Sequence, residues 1–368
     1  MSVSRPQNTK YTVRGTFARW AISSLMCIAF TGTSLAGPLG IVSDNYSSMV
    51  NIFNADNDVV TGMLDGSPGL ALGDCAIASD EKRGFTSSNN GEITFLDLVG
   101  GDNQKVSHHK QVVISNLGVD MALSPDDLFL VMAGGGSLQQ PLSVVNTVLE
   151  TEISTSATFV DNTSVEFCDN GTMLVTTTHG TRYGQDLDNA VYDVTIDRTG
   201  LIELKGGRLS SGAKPNNAVC TPGSLSGVLL DREGGLTSFT FPGLVKSDYR
   251  SLGTSAGVAA VFSSDGRSLF VRTRYSIEAF QFDPINGTMV DLWKQNIPET
   301  STFYGIEQIA IHPDGSKIYV DGGGPLLILD PHNGDKIGDI AFGDTTGICF
   351  ANNQGPPVQD ALELARNP

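Results

Sequence analysis

Four carboxylates recur near the starts of apolar, strand-like runs: Asp74, Asp120, Glu166 and Glu307. Acids gathered at one place can do two kinds of chemistry. Their oxygens can hold a hard cation, with Ca²⁺ as the candidate ion at Asp74, Asp120, Glu166 and Glu307. Their mutual repulsion can also raise a carboxyl pKa and leave a general base that works near neutrality. Glu166 and Glu307 stand about one residue out of register with the other two, an offset that can turn a strand side chain away. A second candidate is the polar stretch after Thr176, where His179 and Arg182 stand with Tyr183 and Asp186 as ligand contacts on a loop. The pair His108 and His109 lies in a polar stretch that reads as a solvated loop.

The cysteines come next. Cys75, Cys168, Cys220 and Cys349 are too widely spaced for a zinc knuckle and form no CxxC. Cys168 and Cys220 fall near the first strands of consecutive units. Cys75 and Cys349 do so too if the chain closes into a ring, so two inter-unit disulfides are conceivable. Other chemistries lack their residues. No nucleophile site stands out, since the serines fall mostly in turns. The runs at 134–136 and 322–324 are glycine turns, because no Lys-Ser/Thr follows either. No CxxCH marks a haem site and no nicotinamide fingerprint is present.

The elements that must position these groups are short strands in a repeat. The clearest unit runs from Ile309 through a Pro-Asp-Gly turn at 313–315 to Ile318–Val320. It continues to Leu326–Asp330 and closes at Asn333-Gly334. Asp-Gly and Asn-Gly tolerate positive φ and so favour tight hairpins. Alternating Val, Ile, Leu and Tyr suit half-buried strands. Related units open near residues 75, 121, 165, 218 and 259. Their spacing of roughly 40 to 53 residues is that of a four-stranded propeller blade. A seventh unit can be assembled from the two ends. Gly347–Ala351 supplies one strand, and Leu39–Asn45, Met49–Asn54 and Val59–Leu64 supply three. The expected fold is therefore all-β: a seven-bladed β-propeller whose N- and C-terminal strands share one closing blade.

The first 36 residues read as an address. Arg5, Lys10, Arg14 and Arg19 precede an apolar stretch at 21–30 and a run of small residues ending at Ala36. Basic, apolar, then small is the order of a secretory signal peptide, with cleavage expected after Ala36. Residues 37–368 then form a single propeller domain with a short polar tail, secreted or periplasmic, with no further membrane-length run. Losing four basic and no acidic side chains takes the net charge from −17 to −21. Such a surface repels phosphate backbones, so a nucleic-acid partner is not expected.

The repeat resembles the secreted β-propellers of the YVTN, surface-layer type, within the lactonase-like propeller superfamily. The segment from His312 to Asp321 carries the Pro-Asp-Gly and Tyr-Val parts of that pattern, with Asp321 where the family has Asn. Ile328–Asp330 matches the family's strand ending, and Ser124–Asp127 and Ser264–Gly266 match in part. The resemblance implies the fold and leaves several functions open, because a propeller hosts unrelated chemistries. Relatives in that group bind or scaffold, hydrolyse lactones, or support a periplasmic amine dehydrogenase. The leading expectation is a non-catalytic propeller that binds a protein, a glycan or a cell-surface component, with no cofactor beyond the candidate Ca²⁺. The alternatives are a metal-assisted hydrolase or lyase at an acidic channel mouth, and a dehydrogenase subunit.

Overall fold

The computed structural model describes residues 37–351 apart from short connecting segments at 45–48, 66–71, 89, 100–104, 117, 119, 135–140, 157–161, 178–188, 212–213, 254, 299–308, 322 and 344. The chain divides into two units, 1–35 and 36–368. The first lies outside the described residues, as does the expected signal peptide. Among the described residues no helix is long and apolar enough to cross a membrane.

Seven antiparallel four-stranded sheets form a seven-bladed β-propeller. The inner strands of blades 1 to 6 are Leu72–Ile77, Asp120–Leu123, Asn162–Phe167, Pro215–Cys220, Gly257–Phe262 and Ile309–Ile311. Blade 7 is the shared one. Its inner strand is the C-terminal Thr345–Phe350, which pairs with Leu39–Asp44, followed by Met49–Asn54 and Val59–Asp65. Ring closure is thus a hydrogen-bonded ladder between the two ends of the folded region.

A single backbone device ends each of the first six inner strands. The residue after the strand donates its N–H across a tight turn, as in Ala78 to Arg83 O, Ser124 to Phe129 O and His312 to Lys317 O. Three residues after that donor the chain must enter the left-handed region. Gly171, Gly266 and Gly315 do so at φ 76°, 68° and 78°. Glu81, Asp127 and Ser224 adopt the same conformation at φ 55–58° without glycine's freedom. The Pro-Asp-Gly signal is therefore the relaxed version of a turn that all six blades make.

Sheet faces pack blade against blade, so the core is divided into apolar clusters at the seams. One packs Val131, Val144, Val165 and Phe167 between blades 2 and 3, and another packs Val271, Phe280, Leu230 and Leu236 between blades 4 and 5. Each seam also carries a specific staple. Asp74 Oδ2 accepts from Met121 N (3.1 Å), and Asp120 Oδ2 accepts from Val165 N (2.7 Å). The Cys168–Cys220 disulfide joins blades 3 and 4, with Cα atoms 5.5 Å apart. Asn216 Nδ2 donates to Gly257 O and Val258 O, each at 3.0 Å. Arg272, wholly buried, donates to Asp321 O at 3.3 Å. Tyr319 OH and Lys317 Nζ both reach Asp58, at 2.7 Å each. The Cys75–Cys349 disulfide joins blades 7 and 1 with Cα atoms 5.9 Å apart, and Ser43 Oγ donates to Gly73 O beside it at 2.7 Å. These are the two pairings read from the order of the units, and they span 52 and 274 residues of chain.

Candidate functional site

The inner strands surround a central cavity of about 330 Å³. The turn donor defines equivalent positions around the ring. Two residues before it stand Ala76, Ala122, Glu166, Val219, Val261 and Ala310, and all six line the cavity. Five of them are alanine or valine. The sixth places a carboxyl group in an otherwise small and apolar ring.

Glu166 is held by blade 3, where its backbone pairs with Leu174 on the neighbouring strand. Its side chain is half-buried. Among the described residues its carboxyl group has no hydrogen-bond partner. Burial pushes it up from the ordinary carboxyl range to about 8, and the charges of Asp74 and Asp169 push in the same direction. A carboxyl group so tuned can take a proton from a water and return it at a pH near neutrality.

Asp169 also lines the cavity, in the turn after the inner strand of blade 3. Its Oδ2 accepts from Gly223 N of the next blade at 2.6 Å, so it is anchored rather than free. His312 lies at the same end of the cavity and is 3% exposed. Its Nδ1 contacts Asp314 Oδ1, and its Nε2 is 3.6 Å from Asp56 Oδ1 without a hydrogen bond. Ser124 and Ser263 occupy the equivalent position and make the same contact to Asp126 and Asp265. His312 is thus a turn residue of blade 6.

Asp74 and Asp120 occupy the position four residues before the turn donor, and neither lines the cavity. Both are buried between blades. Asp74 Oδ1 accepts from Cys75 N at 2.7 Å, while its Oδ2 takes Met121 N. Burial raises Asp74 to about 7, against the lowering effect of these N–H groups and of a side-chain hydrogen bond with Asp120. The expected ring of four acids is therefore not assembled by these residues. Two of its members bind backbone at the seams, Glu166 faces the cavity, and Glu307 lies outside the described residues. Among the described residues no group of three or more His, Cys, Asp or Glu side chains is arranged to hold a metal ion. His179 and Arg182 also lie outside the described residues.

The offset of Glu166 has the opposite effect from the one expected. It stands two residues closer to the turn than Asp74 and Asp120, and that is the position that lines the cavity. Counting back from the turn in each unit would have isolated it from the sequence. Asp169 was missed because it sits in a turn, where acids are common. His108 and His109 belong to the outer strand Lys105–Val113 of blade 1 rather than to a loop. His109 is exposed there, with Nδ1 3.2 Å from Asp97 Oδ2 and Nε2 2.8 Å from Glu150 Oε1. Hydrogen bonding and charge from Asp97, followed by Glu150, raise its pKa.

No protein-family model matches the chain, and no curated protein matches it. Solved structures do. A protein of unknown function from Desulfotomaculum acetoxidans is similar with a TM-score of 0.74 at 18% identity, covering 86% of this chain and 99% of its own. A putative 6-phosphogluconolactonase from Bacteroides fragilis is similar with a TM-score of 0.70 at 13% identity, covering 87% and 99%. The periplasmic gluconolactonase of Pseudomonas aeruginosa is similar with a TM-score of 0.68 at 16% identity, covering 85% and 99%. At these identities the likeness shows the seven-bladed propeller fold.

Proposed function

We propose that the chain hydrolyses a small lactone or related ester in the central cavity, with Glu166 as general base. The observation that carries this reading is a carboxyl group with no hydrogen-bond partner among the described residues, raised to about 8 in an otherwise apolar ring. Ionised Glu166 takes a proton from a water, whose oxygen attacks the ring carbonyl. The ring C–O bond then breaks, and the proton passes to the leaving alkoxide. The product is a hydroxy acid, and its new carboxylate is repelled by Glu166 and Asp169, which favours release. The lactonase names of two similar structures support the same reaction class. Export to a periplasm accords with the basic, apolar, small order of residues 1–36 and with two inter-blade disulfides. The non-catalytic binding role expected from the sequence draws on no comparable feature among the described residues.

The test is proton release from an uncharged δ-lactone, measured in a pH-stat against spontaneous hydrolysis. Glu166→Gln should cut kcat by about 10²–10⁴-fold, the usual contribution of a positioned general base. Its urea midpoint should not fall. A wild-type rate no greater than the spontaneous one would return the chain to the binding class.

A further inference from the structure

We infer that the cavity selects uncharged ligands and excludes phosphorylated ones; that such a ligand is hydrolysed rests on the hydrolase reading, whereas the selection itself rests on the lining. Recognition of a phosphate calls for Arg or Lys side chains, or for a cluster of backbone N–H groups at a helix start or nest. Among the described lining residues there is no Lys and no Arg. The ionisable ones are Glu166, Asp169 and His312. Both acids bring negative charge, and His312 is already engaged with Asp314.

Two described cations elsewhere near the ring are committed. Arg272 is buried between blades 5 and 6, where its guanidinium donates to Thr273 O and Asp321 O. Lys317 Nζ is bound to Ala55 O, Asp56 O and Asp58 Oδ2 at the closing blade. Neither lines the cavity. The charges of Asp74 and Asp169 already act unfavourably on ionised Glu166, so the described groups place negative potential at this point. A phosphate dianion would add to that repulsion inside walls that screen it less than water does. The chain's net charge of −17 opposes anions on approach as well. In this respect the lining departs from what the name 6-phosphogluconolactonase, borne by similar structures, would require.

The experiment compares two matched pairs of probes on the purified protein. The first pair is glucono-δ-lactone and its 6-phosphate, read as kcat/KM. The second is the corresponding non-hydrolysable lactam and its phosphate ester, read by calorimetry in wild type and Glu166→Gln. The uncharged member of each pair should be preferred by about 30-fold or more at low ionic strength. The calorimetric gap should narrow at about 0.5 M salt, where screening is strong. At pH 9, where Glu166 is ionised, it should also be about 10-fold smaller in Glu166→Gln. Equal or tighter binding of the phosphorylated lactam would overturn the inference. Hydrolysis of the phosphorylated lactone at comparable kcat/KM would overturn it and leave the hydrolase reading standing. Selective lactam binding without hydrolysis of either lactone would uphold it and remove the hydrolase reading.

Discussion

Asp74 and Asp120 on one side, and Glu166 on the other, are the same kind of group on neighbouring inner strands, yet they do different work. The two aspartates lie between blades. Each accepts a backbone N–H from the inner strand of the next blade, at 3.1 and 2.7 Å. They satisfy donors on strands that are edges of their sheets, which would otherwise be buried without partners. Glu166, two positions closer to the turn, has no such donor among the described residues and faces the cavity. A buried acid with hydrogen-bond donors is part of the scaffold. One without them is available for chemistry and pays for burial with a raised pKa.

The largest break in this comparison should come from removing an anchored acid. Asp120→Ala leaves Val165 N–H without its acceptor and Asp74 without its hydrogen-bonded neighbour. A loss of about 2–3 kcal/mol is expected from urea unfolding, the usual cost of orphaned buried polar groups. Glu166→Ala should cost less than about 1 kcal/mol, since no hydrogen bond is lost. Equal losses for the two variants would erase the distinction.

The change with pH is smaller for each pH unit. Asp74 and Glu166 are raised to about 7 and about 8 from ordinary values of 3.8 and 4.5. Between pH 4 and 8 the folded chain therefore holds protons that the unfolded chain has released. Their contribution to stability is complete below about pH 4 and is lost as pH rises through the folded values. Each group contributes a slope of up to ~1.4 kcal/mol per pH unit. Glu166→Gln should reduce the slope by about half between pH 4.5 and 7 and remove most of it between pH 7 and 8, leaving the part due to Asp74. A decline unchanged by Glu166→Gln would show that Glu166 titrates normally.

Much of the scaffold was legible because its signals are local or periodic. The turn at His312–Gly315 is written in consecutive residues, and its φ of 78° at Gly315 is what that glycine supplies. The shared blade followed from an opening strand at 347–351 that lacked partners, beside three N-terminal strands that lacked an inner one. The order of units around a ring made the two cysteine pairs conceivable, but it did not separate them from free thiols. The site was less legible because its logic is non-local. Nothing near Asp74 in the chain announces Met121 N as its partner, 47 residues away. The direction of an acid on an inner strand depends on its count from the turn, and Glu166 was read against Asp74 and Asp120 instead. Polarity alone suggested a loop around His108 and His109, but an outer strand exposes one face to water and tolerates the same composition.

Among the described residues Glu166 is an unpaired carboxyl group in an otherwise apolar ring of equivalent positions. Its titration tests this most directly. Side-chain carboxyl carbon shifts of labelled wild-type protein, with the Glu166 signal assigned by its loss in Glu166→Gln, should give a midpoint near 8. A midpoint near the ordinary 4.5 would contradict the account, because it would mean a solvated or hydrogen-bonded carboxylate rather than a group tuned for proton transfer.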